Sequence, residues 1–314
     1  MKKNRTALLV FIVIFAILVS LAVIGTLYIL NSRTSNSEQM RVNLTEGTTY
    51  ESLCDSIDAS FTFRMIAKAL SLEKHIRPGS YIVAPHMNEL ALVRKLRNGQ
   101  QDPIRLTIGK FRTPQQLNEH LNKKLMHNDF NIQLDSFHII LCDTYEFYWT
   151  VTPQAFMARM EKEYSAFFSN LKTPKDPKDI IIIASIVEEE TNNTGEKPLI
   201  ASVYINRLER GMPLQADPTV KYAIGDFTLR RILNKHLAAE SPFNTYLHPG
   251  LPPAPICLPS KATIAAVINA PKTNYLYFCA SPQMDGTHRF AATLAEHNRN
   301  AAAFHKALNT HGIR

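Results

Sequence analysis

An α+β chain carrying one N-terminal membrane helix is what this sequence predicts, and three stretches predict it. Residues 6–32 hold no charge and are mostly Ile, Val, Leu, Ala and Phe, a run long enough to cross a bilayer as a helix. Residues 41–102 alternate strand-like and helix-like patterns on the scale of a small αβ subdomain. Residues 151–314 are dominated by helical periodicity.

The 314 residues are 45% hydrophobic and 20% charged, the balance of a folding chain with room for two domains. Of the net charge of +8, Lys2, Lys3 and Arg5 supply three at the extreme N-terminus. The remaining excess is spread out, without the Lys/Arg block of a nucleic-acid patch, so no nucleic-acid partner is expected.

The elements follow in order. The apolar run is too long for a signal-peptide core and lacks a closing Ala-x-Ala, so it reads as an uncleaved anchor. Three cations precede it and Arg33 alone follows closely, which places a short tail, residues 1–5, in the cytoplasm and residues 33–314 outside. Residues 33–40 are a polar spacer. Arg41 to Leu44 alternates as a strand. Tyr50, Leu53, Cys54 and Ile57 fall at helical spacing, and a second helix runs from about Phe63 to Leu72. Ser80 to Val83 reads as a returning strand after Pro78-Gly79, and Glu89 to Leu96 as a helix that stops at Gly99.

Residues 103–150 read as a connector, with a strand over Ile104–Ile108 and a helix opened by Pro114. It ends in four aromatics in five positions (Tyr145, Phe147, Tyr148, Trp149), a density typical of core or domain seam. Beyond it, helices are expected near 153–168, 179–191 and 198–209, a loop-rich stretch from Gly211 to Pro259, a strand over Thr273–Ala280 and a helix from about Thr293 to Leu308. The four cysteines form no Cys-x-x-Cys pair, and buried free thiols suit them better than a zinc or redox site.

Glu190 is the candidate catalytic residue. The run Asp179 to Thr191 reads as a buried helix ending in acid, and Ile183, Ile186, Val187 and Glu190 fall at i, i+3, i+4 and i+7 on one face. Glu188 and Glu189 then point to the flanks. A carboxyl among apolar side chains has its ionised form disfavoured, which lifts its pKa towards that of a general acid. An acidic patch closing a core helix is the plainer alternative.

Gly-x-Gly-x-x-Gly, phosphate-loop, Gly-x-Ser-x-Gly and His-Glu-x-x-His motifs are all missing, so no cofactor and no metal are expected. His288 and His297, nine apart, read as structural. The loop Gly211–Val220 offers Gln215, Asp217 and Thr219 as hydrogen-bonding groups for a polar substrate, or Asp217 merely as a helix cap. Ser241 to Tyr246, with Asn244 and Tyr246, is a substrate rim or a loop brace.

Three segments, Ala184–Thr191, Ala201–Leu208 and Leu214–Val220, closely resemble the YceG-like endolytic murein transglycosylases. Asp143–Phe147, Asn244–Tyr246, Gly250–Pro253, Pro255–Cys257, Tyr275–Phe278, Gly286–Phe290 and His297-Asn298 continue the match in order, over about residues 40 to 310. Departures are Gly109-Lys110 for the usual Glu-Gly, Cys142 for Pro, Ala254 for Gly and Phe243 for Tyr, none of them at the acid.

The resemblance implies a LysM-like subdomain over 41–102 and a mainly helical, lysozyme-like catalytic domain over 151–314. It implies one catalytic glutamate directly before the Thr, which is Glu190, with Gln215, Asp217, Thr219, Asn244 and Tyr246 orienting sugar or stem peptide. It also implies action on MurNAc–GlcNAc bonds of peptidoglycan strands, leaving 1,6-anhydro ends, beside peptidoglycan synthases at a bacterial inner membrane. Two alternatives remain open, a water-using muramidase with Asp217 as second carboxylate and a glycan-binding scaffold without activity.

Overall fold

The computed structural model describes residues 2–171, 173–229 and 231–310; Met1 of the expected tail and residues 311–314 of the expected last domain lie outside them. The chain divides into two compact units, Met1–Arg105 with Glu146–Val151, and Leu106–Tyr145 with Thr152–Arg314.

The first unit opens with α1, Lys2–Asn31. The charged residues expected as a separate tail continue this helix. Its segment Leu8–Asn31 is 24 residues long with a mean hydropathy of 3.2, so it is long and apolar enough to cross a membrane. A small module follows: β1 (Met40–Leu44), α2 (Tyr50–Ser56), α3 (Phe61–Ala69), β2 (Gly79–Val83) and α4 (Glu89–Asn98). β1 and β2 pair antiparallel, with Met40 opposite Val83 and Leu44 opposite Gly79. Val42, Leu44, Tyr81 and Val83 pack from the strands onto Leu53, Phe63, Ile66, Leu92 and Leu96 of the helices.

Each helix of the module starts where a side chain can accept from its first free amides. Thr49 caps α2, Ser60 caps α3 and Asn88 caps α4. Ser60 is why α3 begins two residues before the expected Phe63. Gly99 ends α4 at φ 67, a left-handed backbone that glycine adopts without strain.

The chain passes between the units through β3 (Ile104–Ile108) and β4 (Asp143–Phe147), which pair with each other. The second unit holds α5 (Pro114–Lys124), α6 (Pro153–Ser169), α7 (Pro177–Glu190), α8 (Lys197–Glu209), α9 (Asp217–Ile224), α10 (Asn234–Leu237), α11 (Lys261–Ile268), β5 (Tyr277–Ala280), β6 (His288–Ala291) and α12 (Leu294–Thr310). β5 and β6 pair antiparallel with Tyr277 opposite Ala291.

Leu117, Leu121, Phe130, Phe137 and Leu141, expected in a connector, are buried within the second unit's own fold. The loop-rich stretch Gly211–Pro259 carries two short helices, α9 and α10. Pro218 at the start of α9 serves the helix, because the first-turn amide it lacks would have no intrahelical partner.

α7 is the axis of the second unit. Asp176 caps it and Pro177 opens it. Every side chain from Ile180 to Val187 is buried, and α8, α9 and α11 pack around it. The sequence pattern leads one to expect a single apolar face; the surrounding helices instead cover the whole circumference, as an all-round apolar stretch requires. Ser185, the one hydroxyl in that stretch, donates to Ile182 O (2.7 Å) and accepts from Ile256 N (3.0 Å). Ile186 is wholly inaccessible. Ile186→Ala is expected to destabilise the second unit by about 2–5 kcal/mol, read as a lowered urea midpoint of the detergent-solubilised chain.

Candidate active site

α7 ends in three consecutive carboxylates, and the fold treats each differently. Glu188 accepts from Lys197 Nζ (3.0 Å), from Ser260 Oγ (3.0 Å) and from the Thr263 hydroxyl. Burial pushes its pKa up, but the hydrogen bonds from Thr263 and Lys197 outweigh that and hold it below the usual carboxylate range. Glu189 is gripped by Arg112, Nε at 3.1 Å and Nη2 at 3.0 Å, with Lys110 Nζ at 3.2 Å.

Glu190 has no such cation. Among the described residues its side-chain partner is Tyr204, whose hydroxyl donates to Oε1 at 2.7 Å. Burial pushes the Glu190 carboxyl up to about 7; the Tyr204 hydrogen bond opposes this, the Asp217 charge adds to it and Lys221 offsets part. The position itself contributes, since the last residue of a helix sits at the negative end of its dipole. The helix stops there because Thr191 turns extended (φ −149°, ψ 143°) and its hydroxyl accepts from Asn193 N at 3.0 Å.

Glu190 stands at a wall shared by two cavities. One, of about 360 Å³, is lined by Tyr204, Arg207, Gln215, Asp217, Tyr246, Tyr277 and His297 with Leu214, Leu276, Phe278 and Leu294. The other, of about 710 Å³, is lined by Thr191, Asn192, Asn193, Ser281, Asp285, Thr287 and His288 with Met284, Phe304 and Leu308. A polar chain could thus pass the acid on both sides.

The structure sorts the expected substrate residues. Gln215, Asp217 and Tyr246 line the first cavity. Asp217 is the first residue of α9 rather than its cap, and its Oδ1 accepts from the Tyr246 hydroxyl at 2.6 Å. Thr219 and Asn244 do not reach the cavity, because both are wholly buried. The Thr219 hydroxyl bonds Ala216 O (2.7 Å) and Thr245 Oγ1 (2.8 Å). Asn244 Nδ2 donates to Leu237 O and Ala239 O, both at 2.9 Å. They brace the loops that carry Gln215, Asp217 and Tyr246.

Sequence reasoning missed the groups around these. Arg207, 8% exposed, donates to Leu214 O (2.6 Å) and Gln215 Oε1 (3.1 Å) and lies over the Tyr277 ring, 5.3 Å from its centroid. That grip accompanies a backbone at φ 52 for Gln215, a strained value for a non-glycine residue that costs about 1–3 kcal/mol. The available signal was the α8 face Ile200, Val203, Tyr204, Arg207, an apolar helical stripe carrying a Tyr and an Arg.

His288 and His297, expected to be structural, both line the cavities. Glu196 accepts from His288 N at 2.8 Å and meets its Nδ1 at 2.8 Å. His297 stacks on Tyr277 (5.4 Å, 28°), and burial followed by the Arg207 charge lowers its pKa, which leaves it neutral near pH 7.

Residues 30–303 match the model of the YceG-like family. The chain belongs to that family. Among YceG-like relatives it is similar to the endolytic murein transglycosylase of Bacillus subtilis, 43% identical over 120 residues, which is 38% of this chain and 32% of the relative. The endolytic murein transglycosylase of Streptococcus pneumoniae is 36% identical over 151 residues, 46% of this chain and 27% of that protein. The matched segments therefore span less than a third of either relative. A solved YceG-like protein from Listeria monocytogenes superposes with a TM-score of 0.52 at 25% identity, covering 84% of this chain and 99% of that one.

The raised Glu190 pKa has a stability consequence. A carboxyl whose folded pKa lies above its unfolded value of 4.5 loses its contribution as pH rises from about 4.5 to about 7. Glu190→Gln is expected to match wild type near pH 4 and to exceed it at pH 8 by on the order of 1–3 kcal/mol in urea denaturation.

Proposed function

We propose that this YceG-like chain is a membrane-anchored lytic transglycosylase that cleaves the MurNAc–GlcNAc β-1,4 bond of peptidoglycan strands, with Glu190 as its single acid and base. The observation that carries this is the isolation of Glu190: half-buried, without an ion pair among the described residues, hydrogen-bonded by Tyr204 and open to cavities on both sides. A carboxyl with a pKa of about 7 is protonated in a useful fraction near neutral pH and is a competent base once ionised.

Glu190 first gives its proton to the glycosidic oxygen, and the C1–O bond breaks with that oxygen leaving as a hydroxyl. The Glu190 carboxylate then takes the proton of the muramic acid 6-hydroxyl while O6 bonds to C1. A 1,6-anhydro ring closes, no water is consumed and the acid is restored to its starting state. Gln215, Asp217 and Tyr246 orient the sugar or stem peptide in the smaller cavity. Thr219 and Asn244 act at one remove, by holding the loops from which those groups project. The open cavity on either side of Glu190 supports cleavage within a strand, in keeping with the endolytic relatives.

Asp217 is the candidate second carboxylate of a water-using muramidase. Its hydrogen bond from Tyr246 favours an orienting role, and inverting or retaining hydrolysis would require it to act on water or on the anomeric carbon.

The same proposal assigns α1 as a single-pass anchor in a bacterial inner membrane, N-terminus in the cytoplasm, supported by the three cations before the apolar span and one close after it. The β1-α2-α3-β2 module supports a LysM-like, glycan-facing reading, since two helices lie between antiparallel strands. Peptidoglycan synthases, which make the strand being cut, are the proposed neighbours.

Mass spectrometry of glycan strands digested by the full chain in detergent tests the proposal. Anhydro-muramic ends are expected from wild type, with Glu190→Gln slower by about a hundred- to ten-thousand-fold. Reducing ends would overturn it in favour of hydrolysis. The first step needs the protonated acid, so the rate is expected to fall as pH rises past about 7. Tyr204→Phe removes a hydrogen bond that lowers that pKa and is expected to move this limb to higher pH.

A further inference from the structure

The outer end of α1 and the first turn of α3 are fixed to each other. Thr62 Oγ1 donates to the Tyr28 hydroxyl at 3.3 Å. Asn88 Nδ2 donates to Leu30 O (2.8 Å) and Ser32 O (3.2 Å), and its neighbour Glu89 accepts from Ser60 Oγ at 2.5 Å. Ile29 packs against the first unit's core. The start of α3 therefore stands beside the point where the apolar span ends.

α3 has a complete inner face in Thr62, Phe63, Ile66 and Ala67. Its outer face carries Phe61, 77% exposed, and Met65, 43% exposed, at i and i+4. Apart from Tyr148, these are the exposed large apolar side chains of the first unit outside α1 among the described residues. Among the described residues, neither belongs to the first unit's core or to the apolar side chains packed against it.

From this juxtaposition, we infer that Phe61 and Met65 seat in the interfacial layer of the bilayer that α1 crosses, so that the first unit rests on the lipid surface through α3. The inference depends on α1 being a membrane span. Leu8–Asn31, 24 residues, extends for about 36 Å as a helix, more than the roughly 30 Å of a hydrocarbon core. Its last turn thus falls at headgroup level, where aromatic rings with one polar end are favoured, and Tyr28 is such a ring. The Thr62–Tyr28 hydrogen bond sets Phe61, one residue away, at the same level. Lys68, exposed one turn past Met65, has a stem long enough to lay along the interface with its ammonium among the headgroups. A short helix with apolar side chains facing lipid and a cation at its edge is an interfacial arrangement.

The test uses the full chain in phosphatidylcholine nanodiscs with the native Trp149 as a wet reference. Thr150, next to it, bonds Gln101 (3.0 Å) beyond the far end of α4, about 15 Å from the Asn88 that touches α1. Two variants are made in a Trp149→Phe background, Phe61→Trp and Ile17→Trp. With lipids brominated near the headgroup, Phe61→Trp is expected to be quenched severalfold more than Trp149 and to emit to the blue of it. Ile17→Trp is expected to be quenched by lipids brominated deep in the chain. Quenching of Ile17→Trp with Phe61→Trp behaving like Trp149 would overturn the inference and leave the anchor standing. Quenching of neither would remove the anchor and the inference together. Protection of Phe61→Trp from aqueous iodide without quenching by any brominated lipid would indicate a protein partner and equally overturn it.

Discussion

Three carboxylates in a row at the end of a buried helix cannot all remain charged without compensation, and the second unit is organised around that constraint. α7 is apolar around its whole circumference, so the helices beside it must close over it and bring their polar groups to its acidic end. α8 and α11 deliver Lys197 and Thr263 to Glu188, with Ser260, the α11 cap, completing the set. The segment after β3 delivers Lys110 and Arg112 to Glu189. A buried carboxylate stripped of such a partner costs several kcal/mol, so these contacts are conditions of the fold rather than ornaments. Glu190 is the exception. Burial raises its pKa, and among the described residues its side-chain donor is the neutral Tyr204 hydroxyl.

The cleft follows from the same packing. α8 carries Tyr204 to the acid and, one turn on, Arg207 to the loop before α9. Arg207 fixes Leu214 and Gln215 in a strained turn, which in turn sets Asp217 at the mouth of the cavity, where Tyr246 meets it. Buried contacts of Thr219 with Thr245 and of Asn244 with α10 tie the two loops together. The site is thus a set of exposed polar groups on a framework of buried polar ones, and the buried set fixes where the exposed set points.

How much of this was legible in the chain depended on distance along it. The proposal of Glu190 rests on a local pattern, because the apolar spacing of α7 and its acidic end lie within fifteen residues. The strand–helix–helix–strand order of the module was readable from equally local patterns, and Gly99 marked the end of α4, whereas the Ser60 cap that starts α3 was not read. What failed were assignments that needed pairing across the chain. Thr219 and Asn244 look like rim residues in a polar loop, and only the fold reveals that Thr219 bonds Ala216 and Thr245 while Asn244 bonds the carbonyls of Leu237 and Ala239. His288 looks solitary until Glu196, 92 positions earlier, meets it. β6 has four residues and no clear alternation, so its pairing with β5 left no local mark.

The account stands on the protonation state of one side chain. Carbon-13 NMR titration of glutamate-labelled protein, with Glu190→Gln to assign the signal, measures it directly. A Glu190 carboxyl titrating near 7 is the predicted result. A Glu190 carboxyl titrating at the ordinary glutamate value of 4.5 would contradict it, and would return α7 to being a core helix with an acidic end.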